Sequence, residues 1–268
     1  MWATLTFLAA TTLAPAQNDT IKFANERATY GVLGPTRSES KFIPGDVFFL
    51  TFDIENLKTD ATGKVKYSMA MELLDSKGAS KFKGDPDPRE LINSLGGTRL
   101  PASAHAVVGT SSEAGEYTMK ITVADLANNK KSGTLTRKFT VVPPDFGLVR
   151  VNCTYDPEGK IPAPSLAVVG QSVWVNAFVA GFQRSSKKQP NLTVDVQMLG
   201  EDKKPTLEKP INFTIDNMVD ESWSLIPVQS LLTLNRTGKF TVELKATDGI
   251  TKKTTKVTFP LTVVEAPK

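Results

Sequence analysis

Gly45-Asp46-Val47-Phe48-Phe49-Leu50-Thr51-Phe52-Asp53-Ile54 and Gly170-Gln171-Ser172-Val173-Trp174-Val175-Asn176-Ala177-Phe178-Val179 are two copies of one pattern, 125 residues apart. Each opens on a glycine and then places an apolar side chain at every second position, the period of a half-buried strand. Without a gap, the same offset sets Tyr67, Met69, Met71 and Leu73 against Leu192, Val194, Val196 and Met198. A third match joins Gly115-Glu116-Tyr117-Thr118-Met119-Lys120-Ile121-Thr122-Val123-Ala124-Asp125 to Gly238-Lys239-Phe240-Thr241-Val242-Glu243-Leu244-Lys245-Ala246-Thr247-Asp248, at an offset of 123. A polar tip follows in both copies, then a strand ending Phe139-Thr140-Val141-Val142 or Leu261-Thr262-Val263-Val264. The offset changes between the matched segments, in loops, where insertions are tolerated.

Several short alternating strands separated by turns, repeated once, predict an all-β chain of two β-sandwiches, because a lone sheet leaves one apolar face wet. The phase predicts that Phe48, Leu50, Phe52, Tyr117, Ile121, Val173, Val175, Phe240 and Leu244 are buried. Phe49, Trp174 and Phe178 then face outward. Pro260 interrupts the last strand and suggests an edge. One stretch departs from the pattern. Asp87-Pro88-Arg89-Glu90-Leu91-Ile92-Asn93-Ser94-Leu95-Gly96-Gly97 carries a capping residue, an early proline, a capping-box glutamate and a terminal glycine. It predicts one short helix, in the first unit only, with Leu91, Ile92 and Leu95 as plugs. The junction Val141-Val142-Pro143-Pro144-Asp145-Phe146-Gly147 is short and proline-stiffened, which predicts modules set end to end with little freedom.

An apolar stretch from Trp2 to about Ala14 is too short to span a bilayer and is followed by a signal-peptidase pattern, Ala14-Pro15-Ala16, although no Lys or Arg precedes the stretch. The expected organisation is a signal peptide at 1–16, a first module at 17–143 and a second at 144–268. Export without disulfides follows from the single cysteine, Cys153, and suggests a bacterial periplasmic or extracellular location. No later segment reads as an integral membrane span. Asn-x-Ser/Thr sequons begin at Asn18, Asn152, Asn191, Asn212 and Asn235, and read as chance in a Thr-rich β-protein. The net charge of +4 is spread along the chain as lysine pairs: Lys130-Lys131, Lys187-Lys188, Lys203-Lys204 and Lys252-Lys253. Each pair sits beside turn residues. They read as solvated hairpin ends and not as a nucleic-acid surface, which gathers its cations on one face.

The Gly-x-Tyr/Phe-Thr hairpin ending on Asp, with its Thr-Val-Val closing strand, resembles the last hairpin of bacterial immunoglobulin-like, fibronectin-III-like and cadherin-like modules. Pro44-Gly45-Asp46 and Val169-Gly170-Gln171 resemble the turn before their second strand. The resemblance covers residues 40–142 and 165–264 and implies tandem sandwiches without naming a ligand. Two features depart from those families. Leu50 or Phe52 and Ile121 stand where an immunoglobulin cysteine pair would be. Pro143-Pro144-Asp145 offers one carboxylate where cadherin junctions cluster several.

Catalytic equipment is sparse. His105 is the sole histidine, no nucleophile elbow or phosphate loop occurs, and no cofactor or metal is expected. The acidic pairs Asp85/Asp87 and Asp220/Glu221 lie in turn-like segments; calcium at the first is the weaker alternative to a helix start. The chain therefore reads as a non-enzymatic structural or adhesive envelope protein. The alternative is a glycan- or peptide-binding module using exposed aromatics or a sheet edge, with Phe49, Trp174 and Phe178 as candidate contacts. A protein or glycan partner fits either reading. Trp223 stands apart in Asp220-Glu221-Ser222-Trp223-Ser224-Leu225, with no phase to say whether it is exposed.

Overall fold

The structure, a computed structural model, describes residues 20–128 and 131–266. The apolar leader, its Gln17 boundary, Asn18 and Lys130 lie outside them. The described residues form strands, turns and loops with no helix.

The first half contains β1 (Lys22–Thr29), β2 (Lys41–Phe42), β3 (Val47–Glu55), β4 (Lys64–Leu74), β5 (Ser80–Lys83), β6 (Asp87–Ile92), β7 (Arg99–Val107), β8 (Gly115–Asp125) and β9 (Ser132–Val141). The second contains β10 (Gly147–Thr154), β11 (Leu166–Val168), β12 (Ser172–Ala180), β13 (Leu192–Leu199), β14 (Ile211–Ile215), β15 (Leu225–Thr233), β16 (Gly238–Asp248) and β17 (Thr254–Val264). Strand order is duplicated. A three-stranded sheet β1-β3-β7 is matched by β10-β12-β15. The larger sheet β2-β9-β8-β4, with β5 and β6 both on β4, is matched by β11-β17-β16-β13-β14. Register is duplicated as well: Tyr67 stands opposite Asp125, and Leu192 opposite Asp248.

Each half has its own hydrophobic cluster between its two sheets. All nine residues expected to be buried are so, from Ile121, fully covered, to Phe240 at 8 % exposure. The strand phase read from the sequence is therefore correct. Two details distinguish the matched hairpins. Tyr117, early in β8, donates its hydroxyl back to the Glu113 carbonyl at 3.0 Å, a tyrosine corner. Phe240 takes the matching place in β16 and has no hydroxyl; there the Arg236 guanidinium lies 5.0 Å from the ring centre instead. Pro260 lies on a length of β17 that β11 does not reach, since their pairing starts at Leu166–Thr262. The Thr262 amide, two residues on, points away from β16 to the Ser165 carbonyl. By alternation the missing amide of Pro260 faces an open edge, and no ladder bond is lost.

The expected helix at 87–97 is a correction. Residues 87–92 are β6, antiparallel to β4 from Lys64–Ile92 to Met69–Asp87. β14 occupies the same place in the second half, with Ile215 opposite Leu192 as Arg89 is opposite Tyr67. The capping signals lost because β4 offers a free ladder edge, while one helical turn in isolation is costly to nucleate. Glu90 pairs with Lys64 and Lys66 on the neighbouring strand (2.6 and 3.2 Å) instead of closing a capping box. Leu91 touches the core, but Ile92 and Leu95 are exposed and plug nothing.

Candidate binding surfaces

The outer face of β10-β12-β15 carries Trp174, Asn176 and Phe178 in alternation on β12. None of them is free. Asn176 is buried at the centre of a polar network. Its amide donates to Asn152 Oδ1 (3.0 Å) and Thr154 Oγ1 (2.8 Å), and its Oδ1 accepts from Gln229 (3.0 Å). Gln229 also donates to the Pro157 carbonyl at 2.6 Å, so the loop after β10 folds over this face. Trp174 is half-buried, opposite Thr154 and the 45 %-exposed Leu231. Phe178 is half-buried under the Arg150 guanidinium, 5.4 Å from its ring centre.

Phe49 belongs to the other three-stranded sheet. It is half-buried, opposite His105 on β7, with the two rings 5.4 Å apart. The sole histidine therefore covers an aromatic ring, and the structure joins two residues the sequence left separate. It does not join Phe49 to Trp174: Phe49 and Phe178 flank the junction, whereas Trp174 sits toward the far end of β12. Asp87 pairs with Arg89 (3.0 Å), and Asp85 is exposed in the loop before it. No three His, Cys, Asp or Glu side chains cluster as metal ligands among the described residues. Burial holds the Cys153 thiol well above its ordinary range, at about 12, which keeps it an unreactive core group. The described lysine pairs occupy turns, with Lys188, Lys203 and Lys252 at φ near +60°.

The best-built cluster, at the junction, has no signature in the residue pattern. Asp46 is 2 % exposed. Its Oδ1 accepts from the backbone amides of Val47 (2.8 Å) and of Arg150 (2.9 Å), the latter in the second half. Its Oδ2 lies 2.8 Å from the Arg37 guanidinium, which in turn lies 4.1 Å over the Phe42 ring. Arg150 Nε donates to the Gly45 carbonyl at 2.8 Å. Tyr30 leaves the end of β1 to join the core of the second half, 6.1 Å from the Phe259 ring, with its hydroxyl on Glu39 (3.0 Å). Arg150 reaches this position through a β-bulge, at φ +53°. The first half has the same bulge 125 residues earlier, at Asn25 with φ +52°, far from any junction. A duplicated irregularity has acquired a second role in one copy.

The loop between β14 and β15 carries Trp223, 48 % exposed, and Met218, almost fully exposed. Gln189 grips the Val219 backbone in both directions (2.9 and 3.2 Å). Arg184 donates to the carbonyls of Asp220 and Trp223, both at 2.8 Å. Asp220 accepts the amide and hydroxyl of Ser222, which hold its carboxyl below the usual carboxylate range.

No protein-family model and no curated protein sequence matches the chain. Among solved structures, the C-terminal domain of the Streptococcus agalactiae AgI/II polypeptide BspA is similar at 8% identity, covering 90% of this chain and 100% of that one, with a TM-score of 0.30. The Pseudomonas fluorescens alkylpurine DNA glycosylase AlkC bound to abasic-site DNA is similar at 16% identity, covering 45% of this chain and 30% of that one, with a TM-score of 0.29. At such scores neither likeness carries a functional inference.

Proposed function

We propose that the chain is an exported, non-catalytic cell-envelope protein, in which two immunoglobulin-like sandwiches, 17–143 and 144–268, act as one stiff unit that holds a surface at a fixed distance. Duplicated strand order, duplicated register and the tyrosine corner support the module assignment. The observation that carries the functional reading is the buried Asp46 carboxylate, which takes an amide from each half and a guanidinium at once. Ordinary intrachain module interfaces are polar and mobile. A buried charge with three fixed donors is not, because bending the junction would strand it in a low-dielectric site.

Small-angle scattering on the full chain tests this. The wild type should fit a single fixed arrangement, and Asp46→Ala should broaden the distance distribution while both halves keep their strand signal. A wild type already as broad as the variant would overturn the stiff-unit reading. Recognition of a glycan is the second reading. Phe49, Trp174 and Phe178 are half-buried, and the observation that favours it is the half-exposed Trp223 on its braced loop.

A further inference from the structure

Trp223 lines a cleft of about 520 Å³ whose walls come from both halves of the chain. Pro44, Thr110 and Pro144 form one side; Phe182, Gln183, Arg184 and the Glu221–Leu225 segment form the other. That volume lies within the usual range of small-ligand sites, about 300–1,000 Å³. The loop is irregular in backbone, yet its main chain is held by the Gln189 and Arg184 contacts described above, so less of it has to order on binding.

The charges around the cleft select the ligand class. Arg184 is committed to the carbonyls of Lys188, Asp220 and Trp223, each at 2.8 Å. Glu221 is paired with Lys188 at 2.7 Å, and Asp145 with Lys253 at 2.7 Å. A phosphate, a carboxylate or an ammonium ligand would meet charges that already have partners within the chain. Uncharged groups of the lining lie open: Thr110, Gln183 and Ser224 are exposed, while the Ser222 hydroxyl is held by Asp220. A flat apolar surface half in water, ringed by neutral donors and acceptors, suits a molecule with apolar ring faces and hydroxyl edges.

We propose that this junction cleft binds a neutral oligosaccharide, with one sugar ring stacked on Trp223 and its hydroxyls on the Gln183, Ser224 and Thr110 side chains. The proposal rests on the glycan reading and adds its place and ligand class. It also gives the stiff junction a purpose, since the cleft exists only while the two halves keep their arrangement.

The test is calorimetric titration of the full chain with cellohexaose, laminarihexaose and chitohexaose, with hexagalacturonate as the acidic control. At least one neutral hexasaccharide should bind. Trp223→Ala should weaken that binding by about tenfold or more, as loss of a central aromatic anchor does. Thr110→Arg, which fills the cleft from the opposite half, should abolish it, and Trp174→Ala should leave it within about threefold, a difference too small for a lost anchor. Thermal melts accompany each variant; if Trp223→Ala melts early, Thr110→Arg alone decides. The proposal is overturned if no neutral hexasaccharide binds, if the cleft variants bind like the wild type, or if hexagalacturonate binds best. Lost binding with unchanged scattering separates the cleft from the stiffness of the chain.

Discussion

Asp125 and Asp248 close the matched hairpins and, with Asp46, are the most deeply buried carboxylates among the described residues. Asp125 accepts the amides of Lys58, Ala127 and Asn128. Asp248 accepts those of Gln183, Ile250 and Thr251 and the Thr251 hydroxyl. Each carboxylate thus fixes its own turn and ties it to a loop from the opposite sheet, through residues 58 and 183, again 125 apart. Burial pushes the Asp248 carboxyl up, but the donors outweigh it and hold it below the ordinary value. The folded pKa lies below the unfolded one, so its stabilisation is full above about pH 4 and is lost as pH falls through the folded value. Asp248→Asn should lower stability at pH 7 by about 2 kcal/mol, the scale of a hydrogen bond to a charged group, and flatten the decline in acid. Urea melts from pH 7 to pH 2.5 check both effects. The aspartates were visible in the repeat, but their role was not: the amides they hold across the sandwich are 67 and 65 residues away and follow no pattern of residue type. Trp174 shows the same limit. Alternation gave its direction correctly, yet the Pro157 turn that folds over the adjoining Asn176 and Gln229 is a loop contact without periodicity. Trp174→Ala should cost about 1–2 kcal/mol in chemical denaturation, less than the 3–5 kcal/mol of a core aromatic.

Strands with a well-formed alternation were legible as elements, and those at sheet margins were not. β3, β4, β8 and their counterparts have two-residue periods because one face meets the core. β6 has a neighbour on one side only and carries Asp, Pro, Arg and Glu, so its composition suits a helix start as well as an edge strand. The other margins carry a device that sequence reading missed. β7 and β15 each end a three-stranded sheet, and each contains a proline at the same register: Pro101 opposite Asp53 and Pro227 opposite Phe178. The amides of Val108 and Leu234 point inward to the neighbouring strands. Counting back by alternation, the nitrogens of Pro227 and Leu231 point to open solvent, as do those of Pro101 and His105. Proline thus removes a donor where a second chain would otherwise add a strand. Pro101→Val combined with Pro227→Val should leave the melting temperature of dilute protein within about 3 °C, the scale of a surface change. It should raise the weight-average mass in sedimentation as concentration increases. A variant that stays as monodisperse as the wild type would show that the edges are protected by other means.

At the scale of the whole chain, the internal repeat made the central strands of both copies readable, while the coupling between the copies was not. Coupling uses positions where the copies differ in surroundings and not in backbone. Gly45 and Gly170 have nearly the same backbone, φ +98° and +92°, where any other residue is strained. A Cβ at Gly170 would meet nothing within 4 Å, whereas at Gly45 it would lie 2.8 Å from Leu225 Cδ2, in the second half. Two substitutions therefore separate local strain from coupling. Gly170→Ala should cost about 1–2 kcal/mol of backbone strain, confined to the second half. Gly45→Ala carries the same strain and also pushes Leu225 away beside the buried Asp46 and Arg150 contacts. Closely packed neighbours with a shared network unfold together, and loosening the contact lets each core melt on its own. Scanning calorimetry of the wild type and of Gly170→Ala should each give one transition, the second shifted down. Gly45→Ala should split the peak in two, with Asp248→Asn then lowering only the transition of the second half. A single peak in Gly45→Ala, displaced no further than in Gly170→Ala, would mean that the junction contributes nothing to cooperativity beyond the linking of the chain.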